Sequence, residues 1–174
     1  MERLENLLAA QALALTDRLM GGSAGPAGRF SGSERAALVT LLAHPDHTVS
    51  WLGDVLVLTS SGITRLVDRL VAAGLVTRTV GTDARSRRVR LTRKGRSAAR
   101  TVLQTRRTAM GEVLGALSER DRHELERLLE LVVGNLAEAN LPAMRVCRLC
   151  DRSACASGGG ACPLQHTVEG ADGD

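Results

Sequence analysis

Apolar residues recur at every third or fourth position through the start of the chain, at Leu4, Leu7, Leu8, Ala12, Leu15 and Leu19, with Leu13 widening the stripe. That spacing predicts a helix over 2–20 with a broad apolar face. The run Gly21-Gly22-Ser23-Ala24-Gly25-Pro26-Ala27-Gly28 breaks it and reads as a flexible linker. A second helix is expected over 33–43 with Ser33 as N-cap. It ends at His44-Pro45-Asp46-His47, because proline pushes the preceding residue away from helical backbone. Val49, Leu52, Val55 and Leu56 then share one face. Thr59-Ser60-Ser61-Gly62 interrupts them and supplies a cap, and Ile63, Leu66, Val67, Leu70 and Val71 repeat at helical spacing until Gly74. Helix, short turn, helix is the arrangement that lays its second helix in a DNA major groove.

The pattern next changes to β-formers. Residues 75–80 (Leu-Val-Thr-Arg-Thr-Val) pair in expectation with 87–91 (Arg-Arg-Val-Arg-Leu) across the turn-like Gly81-Thr82-Asp83-Ala84, a hairpin with Arg85 at its tip. Thr92 caps an expected long helix over 93–117. Ser118 with Asp121 signals another start. That last helix, to about 139, presents Leu125, Leu128, Leu129, Val132, Val133 and Leu136, and Asn140-Leu141-Pro142 is expected to stop it. No internal repeat is present. The fold class is therefore mainly α with a small β-hairpin, an α+β chain.

Composition narrows this picture. At 174 residues the chain is one domain, or one domain with an appendage. Trp51 and Phe30 are its only aromatic residues, so the core is aliphatic, which favours helices over a β-sandwich. No apolar run approaches the ~20 residues that span a bilayer. The mixed-charge start Met1-Glu2-Arg3-Leu4-Glu5 is unlike a signal peptide, so a cytoplasmic protein with no membrane partner is expected. Charge is polarised. Residues 59–107 carry 13 basic and two acidic side chains, +11 against +4 for the whole chain, which leaves −7 elsewhere. Genome bias accounts for arginine over lysine, but not for the clustering, which is the footprint of a polyanion partner.

The run Leu58-Thr59-Ser60-Ser61-Gly62-Ile63-Thr64-Arg65-Leu66-Val67-Asp68-Arg69-Leu70, followed by Gly74-Leu75-Val76, the hairpin and Leu91-Thr92-Arg93-Lys94-Gly95-Arg96, resembles the recognition-helix and wing segment of MarR-family transcription regulators. The likeness extends in element order over residues 1–140. It implies a winged helix-turn-helix homodimer whose first and last helices form the dimer interface. It also implies a double-stranded, near-palindromic operator and a small-molecule effector. Residues 1–31 and 97–140 would then dimerise, and 32–96 would bind DNA. Ser60, Ser61, Gly62, Thr64 and Arg65 occupy the first turns of the recognition helix, where short side chains permit close approach and Arg65 can donate two bonds to guanine. Ordinary capping and solvated charge is the bland alternative. Arg69 and Arg78 suit phosphate contacts. Arg85 matches the arginine that the family places in the minor groove. The family wing usually reads Asp-Arg-Arg, and here Asp83-Ala84-Arg85 lacks the first arginine, for which Arg87 or Arg88 can substitute.

All four cysteines, Cys147, Cys150, Cys155 and Cys162, fall in the last 28 residues. Their C-x2-C-x4-C-x6-C spacing nearly matches a compact zinc knuckle, and Gly158, Gly159 and Gly160 permit the chain to double back. Arg145, Arg148 and Arg152 would favour thiolates. Zn2+ is the first reading, a thiol–disulfide switch the second and an iron–sulfur cluster the third. His166 is an alternative ligand or a plain tail residue. This zinc-binding appendage spans 141–166, and the acidic end, 167–174, is expected to be disordered. The segment Cys147-Arg148-Leu149-Cys150-Asp151 with a later Cys162-Pro163 resembles a subset of the family.

Among the remaining candidates, His44, Asp46 and His47 read as a polar interhelical turn before they read as a metal site. Trp51 reads as core, or as the lining of an effector pocket of the kind the family resemblance implies. His123 reads as surface. No phosphate-binding glycine loop or nucleophile–base constellation suggests an enzyme. The expected function is a DNA-binding repressor relieved by an effector. A redox- or metal-sensing regulator switched by the cysteines is the first alternative, and a winged-helix protein-interaction module the second.

Overall fold

The computed structural model describes residues 2–20, 28–80, 87–155, 157 and 161–169. The linker residues 21–27, the hairpin tip with Asp83 and Arg85, the glycines 158–160 and the end from residue 170 lie outside the described residues. In order, the elements are α1 (Arg3–Met20), α2 (Gly32–Ala43), β1 (His47–Thr48), α3 (Val49–Leu56), α4 (Ser60–Ala72), β2 (Val76–Val80), β3 (Arg87–Leu91), α5 (Arg93–Leu114), α6 (Glu119–Gly134), α7 (Asn140–Cys147), α8 (Arg152–Cys155) and α9 (His166–Glu169). The three strands form one antiparallel sheet, ordered β1-β3-β2, with His47 opposite Val89 and Val76 opposite Leu91. The molecule is mainly helical with this small sheet, the winged helix-turn-helix class.

Local chemistry sets the boundaries. α2 starts one residue earlier than expected because Ser31, not Ser33, is its N-cap. Ser31 accepts from the Glu34 N–H at 3.3 Å, and the Ser31 N–H donates to Glu34 Oε2 at 2.9 Å. Only Ser31 has a glutamate three residues on, so only it closes this reciprocal box. Thr48, Thr59, Thr92 and Ser118 cap α3, α4, α5 and α6 by accepting the N–H three residues on, without the reciprocal bond. Between α3 and α4 the chain turns through Val57 at φ 55°, a left-handed conformation that costs a β-branched residue energy and is held by Leu58 N–H bonding to Gly53 O at 2.9 Å.

One aliphatic core joins α2, α3, α4, the sheet and the first turns of α5. Leu38, Leu41, Leu52, Leu66, Leu70 and Val89 are fully enclosed, and Phe30 and Trp51 pack at its edge. β3 alternates as the period-2 rule requires, with Val89 and Leu91 inward and Arg88 and Arg90 outward. At Gly95 the helix α5 lies against the wing so closely that an added Cβ would stand 1.9 Å from the Leu75 carbonyl oxygen. Because that obstacle is backbone, no side-chain rotation relieves it. Gly95→Ala is therefore expected to destabilise the fold by about 3 kcal/mol, at or above the upper end of ordinary overpacking. Urea unfolding monitored at Trp51 measures it, and an unchanged midpoint would contradict the packing described.

The second half departs from the sequence reading. α5 ends at Leu114 and α6 at Gly134, both short of the expected limits. Asn140-Leu141-Pro142 does not stop a helix; it opens α7, where a first-turn proline has no intrahelical N–H to lose. The expected disordered tail also begins inside a helix, since α9 runs to Glu169 and Thr167 is buried. α6 buries none of its residues within this chain.

Candidate nucleic-acid interface and thiol cavity

α4 turns Ile63, Leu66, Val67 and Leu70 into the core and leaves Ser60, Ser61, Thr64, Arg65 and Arg69 in solvent. Thr59 Oγ1 accepts the Gly62 N–H at 3.2 Å, and a Cβ at Gly62 would crowd that same oxygen at 3.1 Å. Thr64 Oγ1 donates back to the Ser60 carbonyl at 2.8 Å, and Arg65 reaches Ser61 Oγ only at 3.5 Å. The outer face of α4 thus begins with a row of short hydroxyls and carries two long cations, Arg65 and Arg69, with Asp68 between them.

Several of the other arginines have acidic partners on the surface. Arg69 pairs with Glu34 at 3.3 Å and Arg78 with Asp68 at 2.7 Å. Arg88 donates to the Asp46 carbonyl at 2.6 Å, and Arg90 meets the Asp46 carboxylate at 3.2 Å. Burial pushes the Glu34 carboxyl up, but the Ser31 N–H and Arg69 together hold it below its ordinary range. Exposed pairs of this kind contribute about 0–1 kcal/mol, so a phosphate can displace the carboxylate at little cost. Arg87 and Arg88 project from the wing strand β3, with Arg87 exposed.

In the sequence Asp46 reads as part of a polar turn, or with His44 and His47 as a metal site, and neither reading gives it a partner on the hairpin. At φ 67° it anchors Arg88 and Arg90 of β3, a link across more than 40 positions that local pattern could not reveal. His47 stacks on Trp51 with centroids 3.8 Å apart, and His44 lies 5.7 Å from the same ring. Burial first, and neighbouring cations second, lower the affinity of both imidazoles for a proton. These residues form a packed ring cluster behind α3.

The four thiols face one cavity without converging on a point. Cys147, Cys150, Cys155 and Cys162 line one cavity of about 390 Å³, shared with His44, Met144 and Leu164. The Cys147 S–H donates to Cys150, and that bond, with the Arg106 guanidinium, lowers the Cys150 thiol to about 6 against the opposing effect of burial. Cys147 is correspondingly pushed up, by that bond, by burial and by the other three sulfurs. Cys155 is raised by burial, then by Cys150 and Cys162. Among the described residues, no three His, Cys, Asp or Glu side chains are close enough to hold a metal ion. His166 Nε2 is engaged with the Ala137 carbonyl at 3.1 Å, apart from the thiols.

This segment is docked on the helix-turn-helix. Arg145 Nε donates to the Asp54 carbonyl of α3 at 3.1 Å, Thr40 Oγ1 of α2 donates to the Arg148 carbonyl at 3.2 Å, and Arg152 meets His44 Nε2 at 3.2 Å. Arg106 of α5 donates to the Leu149 carbonyl at 2.7 Å, and Leu149 packs against Val39 and Val102. None of these contacts was anticipated from the sequence.

Residues 30–86 match the model of the MarR family. A MarR family protein from Bacillus stearothermophilus has a solved structure that superposes with a TM-score of 0.63 at 30% identity, over 74% of this chain and 89% of that one. The chain belongs to the MarR family. RV1404 from Mycobacterium tuberculosis is similar at 27% identity and a TM-score of 0.64, covering 78% of this chain and 92% of that one. FabT from Streptococcus pneumoniae, solved in complex with DNA, shares the fold at 20% identity and a TM-score of 0.58, over 74% and 90% of the two chains. Comparison with curated proteins gives no match. MarR proteins are transcription regulators, not enzymes. Among the described residues no helix is long and apolar enough to cross a membrane.

Proposed function

We propose that this MarR-family chain is a homodimeric, sequence-specific repressor. In this reading residues 32–96 bind DNA and residues 1–31 with 97–140 dimerise. α4 enters the major groove with Ser60, Ser61, Gly62, Thr64 and Arg65. Arg69 and Arg78 exchange their carboxylate partners for phosphates, and the wing presents Arg85, Arg87 and Arg88. A small-molecule effector relieves repression. The observation that carries the reading is the solvent face of α4, where hydroxyls and Arg65 stand outward while the opposite face is locked in the core.

The test compares two arginines on a duplex that the protein itself selects from a random pool. Arg65→Ala is expected to cost roughly 1–3 kcal/mol and relax the preferred base, whereas Arg78→Ala weakens every sequence alike and lowers the salt dependence. The selected site is expected to be a near-palindrome with half-sites about one helical turn apart. Equal, salt-insensitive binding to a scrambled duplex would refute the reading.

Within the family, the segment 141–166 is proposed as a zinc-binding appendage, the mark of a cysteine-tailed subset. The donor chemistry fits: four sulfurs share one cavity and perturb one another electrostatically. Cys155 and Cys162 are exposed, whereas Cys147 and Cys150 are half-buried. When bound, the ion supplies structure, since a closed four-thiolate set leaves no open position for catalysis. The contact between Cys147 and Cys150 favours a second reading, a disulfide formed as a hydroperoxide takes two electrons and two protons and leaves as alcohol and water. Elemental analysis separates the two, because the first requires one zinc per chain and the second none.

A further inference from the structure

The docking contacts and the thiols occupy the same short stretch. Arg145, Arg148, Leu149 and Arg152 alternate with Cys147 and Cys150, and each makes one of the bonds or packing contacts to α2, α3 or α5 given above. The appendage has little of its own to hold that stretch in shape. Its buried apolar cluster is Ala137, Ala143 and Leu164, with Val133, Val146 and Cys147 at the margin. Residues 145–152 thus carry both the contacts to the head and two of the four sulfurs.

The receiving side matters equally. Arg145 grips a carbonyl in the last turn of α3, just before the Val57 turn that sets α4. α3 and α4 are tightly fitted there: a Cβ on Gly53 would stand 3.2 Å from Ile63 of α4. Arg152 holds His44, part of the ring cluster with His47 and Trp51. A change in the appendage thus reaches the position of α4 through two residues of α3, and reaches Trp51 through one histidine.

We propose that the four-thiol site is regulatory: filled with zinc, it clamps residues 145–152 onto α2 and α3 and holds the helix-turn-helix in its DNA-binding arrangement, and emptied, it releases them. This rests on the reading of the cavity as a zinc site and of α4 as the DNA-reading helix. The clamp gives the site a differential effect on two states of the head, which coupling between sites requires.

Full-length protein is compared as purified, after chelation, and after return of Zn2+ alone. Trp51 is the chain's single tryptophan and reports on α3 without labelling. Chelation is expected to shift its emission, raise its quenching by acrylamide and weaken binding to the selected duplex about tenfold, a coupling of about 1.4 kcal/mol, with all three restored by zinc. The variant Thr40→Val with Arg145→Ala keeps every cysteine and loses two of the docking bonds. It is expected to bind one zinc per chain, yet show Trp51 emission and DNA affinity that no longer respond to chelation. Stoichiometric zinc whose removal leaves Trp51 and the affinity of the wild type unchanged overturns the clamp and spares the metal site. Failure to bind zinc, as purified or on addition, overturns both. Equal responses in the wild type and the double variant overturn the route through α2 and α3.

Discussion

Leu128→Glu combined with Leu131→Glu is expected to convert the protein from a dimer to a monomer and to weaken binding of its palindromic duplex by roughly 10²–10⁴-fold, the advantage that joining two half-site readers confers. The argument starts from what the single chain leaves uncovered. Leu128, Leu131, Val132 and Leu136 of the α6 region are 44–58% exposed, and Leu4 and Leu13 of α1 are 76% and 69% exposed. An amphipathic helix that buries nothing in its own chain has its apolar stripe open to a partner. Covering each leucine contributes about 1.5–3 kcal/mol, so two buried glutamates per protomer, four per dimer, more than offset what the interface gains locally. Both positions lie outside the core that joins α2 to α5, so circular dichroism and Trp51 emission should be preserved. Light scattering at micromolar concentration measures the result. A wild-type mass of one chain, or a variant mass of two, would sink the prediction.

The elements whose determinants are local could be read from the sequence. α4 has its threonine cap, an apolar repeat at helical spacing and Gly74 at φ 68° behind it, all within 16 residues, and the structure reproduces each. β3 announces itself by alternation. Where two local signals compete, the sequence leaves the boundary open. Ser31 and Ser33 are both acceptable caps, and the choice rests on the reach of the Glu34 side chain. Pro142 both ends helices and begins them, and its preceding residues do not say which. The site was legible as residue types, not as partners. Arg69, Arg78 and Arg88 were picked out by charge, but their pairing with Glu34, Asp68 and Asp46 is tertiary. The docking of the cysteine segment joins residues 91 to 108 positions apart, Arg145 with Asp54 and Thr40 with Arg148, and no periodicity encodes it. The cysteine spacing identified a possible ligand set while leaving its place on the head unstated.

Cys147→Ser with Cys150→Ser is expected to abolish zinc binding and to unfold the appendage while the head stays intact. The segment 141–166 buries Ala143 and Leu164, against Ala137, as its apolar contribution. A buried leucine contributes about 1.5–3 kcal/mol, whereas fixing the backbone costs about 1–2 kcal/mol for each residue ordered. The docking bonds to α2, α3 and α5 add about 1 kcal/mol apiece, which does not close that gap. A structural zinc ion, with an apparent binding free energy of roughly 10–16 kcal/mol, is by far the largest single contribution open to so short a segment. Serine keeps the shape of cysteine and removes the thiolate, so the variant isolates the metal from the packing. Trypsin supplies the readout, because Arg145, Arg148 and Arg152 all lie in the stretch and are engaged when it is docked, Arg145 on Asp54, Arg148 on the Arg145 carbonyl and Arg152 on His44. Wild-type protein should carry one zinc per chain and resist cleavage at these arginines. The variant, and chelated wild type, should be cut there first, with the head from α2 to α5 surviving as a resistant core. Metal-free wild type with four freely titrating thiols, digested identically before and after chelation, would rule the zinc site out.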